Sequence, residues 1–566
     1  MLIIDSKQTP LGYQPTPTRK FQSRGFESQL LNREHGYGSH PGQHHLSVPS
    51  PRHQTTTANF YSHANDYSHL HSIDNGGFTV PFSLSSSHTS DLTAAGDEQG
   101  WIRFFNTAGS RSTKSDYSLD NLESSFKAHD NAIMDLDWSK DDLRLATACG
   151  DRTGKIIDTL TQQTAVELGG HLESLRQVSF QQGSASSDIL ATSDRSGRVQ
   201  IWDLRCAALP VNTFSGVISS DSAPGISSRR RLQRRNQDVP VQSPEAVNVI
   251  DNAHERKTFG YASPASITSL QWMTSGREHL LFTSSEANAV VKLWDTRYIK
   301  PRKQVEEVPL AMTQEPSGHG FRPYGITSLA LNTDASRLYA VCKDSTVYAY
   351  STNHMLLGIA PELSACASKR RPRGAGGLGP LFGFKHDLLS VSSFYVKCSV
   401  RKPGIHGNSS ELLAVGSSKS CAVLFPLDEG YPFHQQHQQQ QQPRLPGKPS
   451  ADATALPTPS PFSAGGYRAL NSSPAPASLG GTATSTSTTP ILHTGTALIK
   501  AHTREVTNVS WTHTGSLVTA SDDQSIRHWQ ENQFAASHLR TVGEFGGERH
   551  MCGWADVDSS WWDVDD

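Results

Sequence analysis

Nowhere in the 566 residues does an apolar run approach the ~18 that a membrane-spanning helix needs, so no such helix is expected. Paired cysteines are lacking too. Cys149, Cys206, Cys342, Cys366, Cys398, Cys421 and Cys552 are odd in number, widely scattered and free of any CxxC pair, which excludes a disulfide framework and a zinc ribbon. The start, MLIIDSKQTP, lacks the basic flank and apolar core of a secretory signal, and the expected compartment is the reducing cytosol or nucleus. Apolar residues are scarce at 35% and charged ones at 18%, against the roughly 45–50% and 25% of an ordinary domain. The whole chain is therefore not expected to pack into one core. A net charge of -2 excludes a wholly basic nucleic-acid binder. There is no nucleophile elbow, P-loop, HExxH or glycine-rich dinucleotide fingerprint, so neither an enzyme nor a cofactor is expected.

What the sequence does contain is a repeated short pattern. Seven segments end in an apolar or aromatic strand: WIRFFNT, KIID, VQIWD, VVKLWD, TVYAYS, AVLFP and SIRHW. Small-residue strands and polar turns precede them, as in DILATSDRSG and SLVTASDDQ. Further upstream, AIMDLDW, SLRQVSF, SITSLQW, GITSLALN, SFYVKCSV and EVTNVSW alternate apolar and polar residues, the period of a half-buried strand. Aligned on the Trp-like position, the repeats give Phe105, Ile157, Trp202, Trp294, Tyr350, Phe425 and Trp529. The interval from Ile157 to Trp202 matches the ~40–45 residues of a WD unit, and the longer intervals contain inserts. A lone four-stranded unit cannot cover its own faces, whereas radial stacking buries them. The fold expected is all-β: a seven-bladed WD-repeat β-propeller over 76–530, with disordered inserts at about 206–262, 352–380 and 428–495. A disordered tail is expected over 1–73 and an acidic, aromatic tail over 531–566, and the strand near Gly77–Phe82 is expected to close the ring.

In such blades a turn His, a strand Ser/Thr, a turn Asp and a Trp form one buried hydrogen-bonded line. His129, Asp151, His171, His502, Asp523 and Trp529 are read as residues of this structural kind. The Asp six residues before the Trp-like position is present as Asp151, Asp344 and Asp523, and is replaced by Ser196, Asn288 and Lys419 in three other repeats. Two repeats continue into an arginine: Trp202-Asp203-Leu204-Arg205 and Trp294-Asp295-Thr296-Arg297. On consecutive blades these place two guanidinium forks just beyond strand ends, where a partner's carboxylates or carbonyls can meet them.

The segments FKAHDNAIMDLDWSKDDLRLATACGDRTGKIID, GRVQIWDLRC, VVKLWDTR, SSFYVKCSV and AHTREVTNVSW resemble the denticleless (Cdt-two) family, WD-repeat substrate receptors of the cullin-4 RING ubiquitin ligase. The resemblance implies that Trp202, Asp203, Arg205, Trp294, Asp295 and Arg297 dock onto the damaged-DNA-binding adaptor of that ligase. It further implies recruitment of replication and cell-cycle proteins, including the licensing factor Cdt-one, bound to the sliding clamp PCNA on chromatin, for polyubiquitination and degradation. The full adaptor box carries the earlier Asp as well, so Ser196 and Asn288 leave the WDxR core alone intact. Compared with animal members, a shorter stretch is expected beyond the last blade. The alternative is a WD-repeat chromatin or RNA-processing scaffold without ligase function.

Two basic clusters, Arg229, Arg230, Arg231, Arg234 and Arg235, and Lys369, Arg370, Arg371 and Arg373, fall in inserts. They read as nuclear localisation signals or contacts to DNA backbone, and the expected location is the nucleus; no membrane partner is expected. Thr16-Pro17-Thr18-Arg19 fits a proline-directed kinase site. His40, His44 and His45 are too irregularly spaced to suggest a metal site. The tail WADVDSSWWDVDD suits a short linear interaction segment or a fold-back onto the propeller. Gln99–Phe105 approximates a clamp-binding box, but strand is the better reading.

Overall fold

The computed structural model describes residues 57–108, 122–182, 187–205, 244–258, 261–274, 276–297, 309–319, 322–357, 379–402, 411–427, 489–542, 547 and 549–557. Within them each repeat becomes an antiparallel meander. Blade one is Pro81–Ser86, Leu92–Asp97, Trp101–Asn106 and Leu122–Lys127, blade two Ile133–Trp138, Arg144–Cys149, Gly154–Asp158 and Gln163–Leu168. Blade three is Leu175–Phe180, Ile189–Asp194, Val199–Asp203 and Asn248–Ile250, blade four Ile267–Trp272, Leu280–Ser285, Lys292–Asp295 and Ala311–Met312. Blade five is Ile326–Leu331, Arg337–Cys342, Thr346–Ser351 and Phe382–Lys385, blade six Cys398–Arg401, Leu412–Ser417, Cys421–Pro426 and Thr496–Ile499. Blade seven has Val506–Trp511, Leu517–Ser521 and Ser525–Glu531. The fold is the expected all-β, seven-bladed WD-repeat β-propeller, and all seven Trp-like positions lie buried in third strands.

Alternation in the inner strands has a direct purpose. Their apolar residues fill the space between blades, while their polar residues hydrogen-bond the neighbouring blade. Val178 and Phe180 donate their amides to Asp135 and Asp137 at 3.2 and 2.7 Å, Leu270 donates to Gln177 at 2.6 Å, Leu329 to Ser269 at 3.0 Å and Cys398 to Ser328 at 3.2 Å. Three inner strands end in Trp, and each indole donates backwards to the preceding blade: Trp138 to Ser85 O, Trp272 to Ser179 O and Trp511 to Ser399 O, at 2.9–3.0 Å. These bonds pair backbone groups that the close radial packing of blades removes from water. Gly416 permits one such approach, because a Cβ there would stand 2.2 Å from Val506 O.

Ring closure departs from the sequence expectation. Pro81–Ser86 is the inner strand of blade one, and the last blade is completed from further upstream: Tyr67–His69 and Phe60–Ser62 both pair with Ser525–Glu531. Residues 57–73 are thus not a disordered tail. At the other end Gly553–Asp556 pairs with both Phe60–Ser62 and Thr496–Ile499, joining blades six and seven into one ten-stranded sheet. Part of the expected C-terminal tail is therefore core, with Trp554 8% exposed. Asn532 caps the helix Gln533–Thr541 by accepting from Phe534 N and Ala535 N, and Ala536 and Leu539 pack on Tyr61, Cys552 and Trp554. The physical reason is edge protection: outer strands otherwise expose unpaired backbone groups, and strands from both ends of the chain cover them.

The expected inserts also contain ordered pieces. Asn248–Ile250 is the outer strand of blade three, followed by the hairpin Glu255–Thr258 and Tyr261–Pro264; Thr352–Leu357 is a short helix; Ile491–His493 adds a parallel strand to blade five. Within Gln99–Phe105, Trp101–Phe105 belongs to a strand of blade one. Residues Thr16–Arg19, His40, His44, His45, both basic clusters and Trp561 and Trp562 lie outside the described residues.

Candidate functional site

Two sets of residues emerge at opposite ends of the ring. At the end where the inner strands begin lie the buried relays. In blade seven Trp529 Nε1 donates to Thr519 Oγ1 at 3.0 Å, Thr519 bonds His502 Nε2 at 2.8 Å, and His502 Nδ1 bonds Asp523 at 3.1 Å. Indole only donates and carboxylate only accepts, so the protons run in one direction, from Trp through Thr and neutral His to Asp. Burial pushes the His502 imidazole below its usual range. Burial opposes charge on Asp523 as well, but the hydrogen bonds from His502 and Ser525 hold its carboxyl well below the usual range. Blade three repeats the chain with Trp202, Thr192 and His171 at 2.8 and 2.7 Å, ending on Asp194 at 3.0 Å.

Asp194 was missed by a count of six residues back from Trp202, which lands on Ser196. Ser196 instead donates its hydroxyl to Asp194 at 2.7 Å. Blade two has His129, Thr147 and Asp151, at 2.7 and 3.0 Å, but Ile157 in place of an indole. In blade four His254, hidden in an expected insert, bonds Thr283 at 2.8 Å, and Trp294 donates to Thr283 at 2.9 Å. Burial, helped by Lys292, pushes His254 down to about 3. Blade five uses His319, Asp344 and Tyr348, with Asp344 receiving the Tyr348 hydroxyl at 2.6 Å. Blade one substitutes a buried ion pair, Arg103 with Asp97 at 2.5 Å.

Among the described residues, His129, Cys149 and Asp151, and likewise His319, Cys342 and Asp344, lie close enough for metal ligation. Both thiols instead donate to backbone carbonyls, Cys149 to Asn131 O at 3.3 Å and Cys342 to Gly325 O at 3.4 Å. Burial pushes Cys149 up to about 12 and Cys342 well above 9, so both are neutral thiols, poorly suited to ligation.

At the opposite end stand the two arginine corners. Third strands run parallel to inner strands, so Asp203 and Asp295 sit where the inner strands finish, across from Ile189 and Leu280. Arg205 folds back on Asp203, with Nε and Nη2 bonds of 2.9 and 2.7 Å, and its amide also donates to that carboxylate at 3.0 Å. Arg297 treats Asp295 identically, at 3.1, 3.0 and 3.1 Å. The hydrogen bonds from Arg205 hold the Asp203 carboxyl below its usual range, against burial; at Asp295 burial is the larger influence, but the bonds from Arg297 prevail. The arginine side chains are 59% and 57% exposed while their aspartates are 17% and 15% exposed. Each Asp thus anchors a guanidinium that faces solvent. Thr296 O accepts from Asn248 of blade three at 2.8 Å, which ties the two corners together. Trp202 and Trp294 are buried beneath them and belong to the relays rather than to the surface.

This combination defines a WD-repeat β-propeller protein with a doubled arginine corner. The WD domain, G-beta repeat family matches residues 120–158 and 493–530. Similarity to curated relatives supports the denticleless (Cdt2) family. It is 25% identical to the "Cell division cycle protein cdt2" of Schizosaccharomyces pombe over 75% of this chain and 76% of that protein. It is 24% identical to the "Denticleless protein homolog A" of Xenopus laevis over 62% of this chain and 42% of that protein, and 24% identical to the Homo sapiens "Denticleless protein homolog" over 47% and 33%. The match thus spans less than half of those vertebrate relatives.

Proposed function

We propose that this protein is a non-catalytic substrate receptor of a cullin-4 RING ubiquitin ligase, docking on the damaged-DNA-binding adaptor through Arg205 and Arg297. The observation that carries this proposal is the pair of solvent-facing guanidiniums on adjacent blades, each fixed by its own half-buried aspartate. Such a pair is pre-organised: the side-chain entropy of two arginines is spent before binding, and exposed ion pairs of this kind add little to stability, so docking is the better account of them. Similarity to denticleless (Cdt2) proteins supports the same function.

The receptor forms no bond. Holding substrate and ligase on one scaffold raises the effective concentration of substrate lysines near the charged ubiquitin carrier. The substrates proposed are replication and cell-cycle proteins bound to PCNA, and the place of action is the nucleus, with the two basic clusters as import signals. Purification of the wild-type chain from cells is expected to bring the adaptor with it. Arg205→Ala/Arg297→Ala is expected to lose the adaptor while melting at the same temperature as wild type. Full adaptor binding by the double variant refutes the docking assignment, and an adaptor absent from wild-type preparations refutes the receptor function. Proteasome inhibition should add replication factors to the wild-type preparation, and a fluorescent fusion lacking 229–235 and 369–373 should leave the nucleus.

A further inference from the structure

At the end of the ring opposite the arginine corners, the axial channel opens into a cleft lined by Met134, Arg176, Thr268, Phe394, Tyr395 and Lys397. Met134, Arg176 and Thr268 stand near the start of the inner strands of blades two, three and four, and Phe394 to Lys397 lead into that of blade six. Residues from four blades meet only on the axis. The aromatic pair comes from an irregular segment that the alternation of SFYVKCSV predicts as strand; pairing begins only at Cys398. Phe394 and Tyr395 are thereby held across the mouth, with Tyr395 edge-on to Phe82 of blade one at 5.6 Å.

Two cations stand against these rings. The Arg176 guanidinium lies 5.5 Å from the Tyr395 centroid and the Lys343 ammonium 4.1 Å from that of Phe394. Among the described residues neither has a carboxylate partner, and Arg176 Nε is buried without a hydrogen bond. Elsewhere in the ring, buried arginines have acceptors: Arg103 has Asp97, Arg401 has Glu531 at 2.7 Å, and Arg527 donates to the carbonyls of Ala501 and Met551. Lys397 has one as well, Asp135 at 3.9 Å. A half-buried guanidinium donor with no acceptor carries a desolvation cost that an incoming anion removes.

We propose that this mouth is a binding site for an acidic segment of a protein partner, with Arg176 and Lys343 receiving carboxylates and Phe394 and Tyr395 packing against the segment's stem carbons. The site stands on its own geometry. Taking the segment as part of a recruited substrate rests on the receptor function proposed above, and the opposite placement of the arginine corners then lets adaptor and substrate bind together.

The test uses the full chain and fluorescence anisotropy at low ionic strength with three labelled probes: an oligoglutamate peptide, an oligolysine peptide and a single-stranded DNA oligonucleotide. Oligoglutamate is expected to bind, oligolysine not to bind, and DNA to bind more weakly than oligoglutamate. Arg176→Gln/Lys343→Gln is expected to weaken oligoglutamate at least about tenfold, and Phe394→Ala to weaken it without changing its salt dependence. Adaptor co-purification, measured on the same double variant, should be unaffected, so failure of this site and failure of the receptor function are read separately. No binding of oligoglutamate to wild type, equal binding by a folded double variant, or a preference for DNA would each overturn the proposal.

Discussion

At the residue scale, the relays give the clearest energetic contrast. Thr519→Val keeps the shape of the side chain but leaves the Trp529 N–H without its acceptor and His502 Nε2 without its donor, both deep in blade seven. Each buried polar group left unpaired costs about 1–3 kcal/mol, so chemical denaturation should show a loss in that range or above it. Thr147→Val leaves His129 Nε2 without its donor and the part-buried Lys155 amide without a 3.1 Å acceptor, but it strands no indole, because blade two has Ile157 in that place, and its loss should be smaller. Equal losses would mean that the indole bond contributes nothing. The members of these relays differ in how legible they were. His129, Asp151, His502 and Asp523 share a common spacing, but Asp194 stands two residues earlier than that rule places it, because in blade three the acid is the last residue of the strand rather than part of the turn. His254 sat in a stretch whose composition masked it, and only its contact with Thr283 identifies it.

At the element scale, closure decides whether seven blades become a ring. Arg527, 3% exposed, donates to Ala501 O and Met551 O at 2.6 Å each and lies 4.5 Å over the Tyr67 ring, so one side chain holds strands from both ends of the chain to blade seven. Arg527→Leu should cost about 1.5–3 kcal/mol for each charge-assisted bond lost. Gly553→Val should cost about 1–3 kcal/mol, since the new Cβ would stand 2.7 Å from the Trp529 ring. Deleting the chain through Ser72 should abolish cooperative thermal unfolding, and a truncate that melts like wild type would sink the closure assignment. Second and third strands were legible because they share a hairpin, a polar turn and an aromatic at fixed spacing. The closing strands Phe60–Ser62 and Gly553–Asp556 were not, because strands so short show no period and their pairing partners lie hundreds of residues away. The SFYVKCSV segment erred the other way: its alternation is genuine, but the axis takes its first residues out of the sheet.

At the scale of the whole molecule, the ring is held around a charged axis, and this gives stability a pH dependence of known sign. Burial pushes Asp135 up to about 6, with Lys397 opposing, and pushes Asp137 up to about 7 against the hydrogen bond from Phe180 N. In the unfolded chain both titrate near ~3.9. Between that value and the folded one, the native state holds the extra protons. Their stabilising contribution is therefore full below about pH 4 and is lost as the pH rises through about 6 and 7. His254 acts in the opposite sense lower down: its folded value of about 3 lies below the unfolded ~6.5, so the native state is weakened as the pH falls between them. Asp137→Asn separates the two, because the amide oxygen still accepts from Phe180 N, now 2.7 Å from the carboxylate, while the ionisation is gone. Melting temperatures measured at about pH 5 and about pH 8 should then differ less in the variant than in wild type, with the gain concentrated at the higher pH. An identical drop in both proteins would mean that Asp137 ionises freely in the channel and that the inter-blade bond bears no desolvation cost.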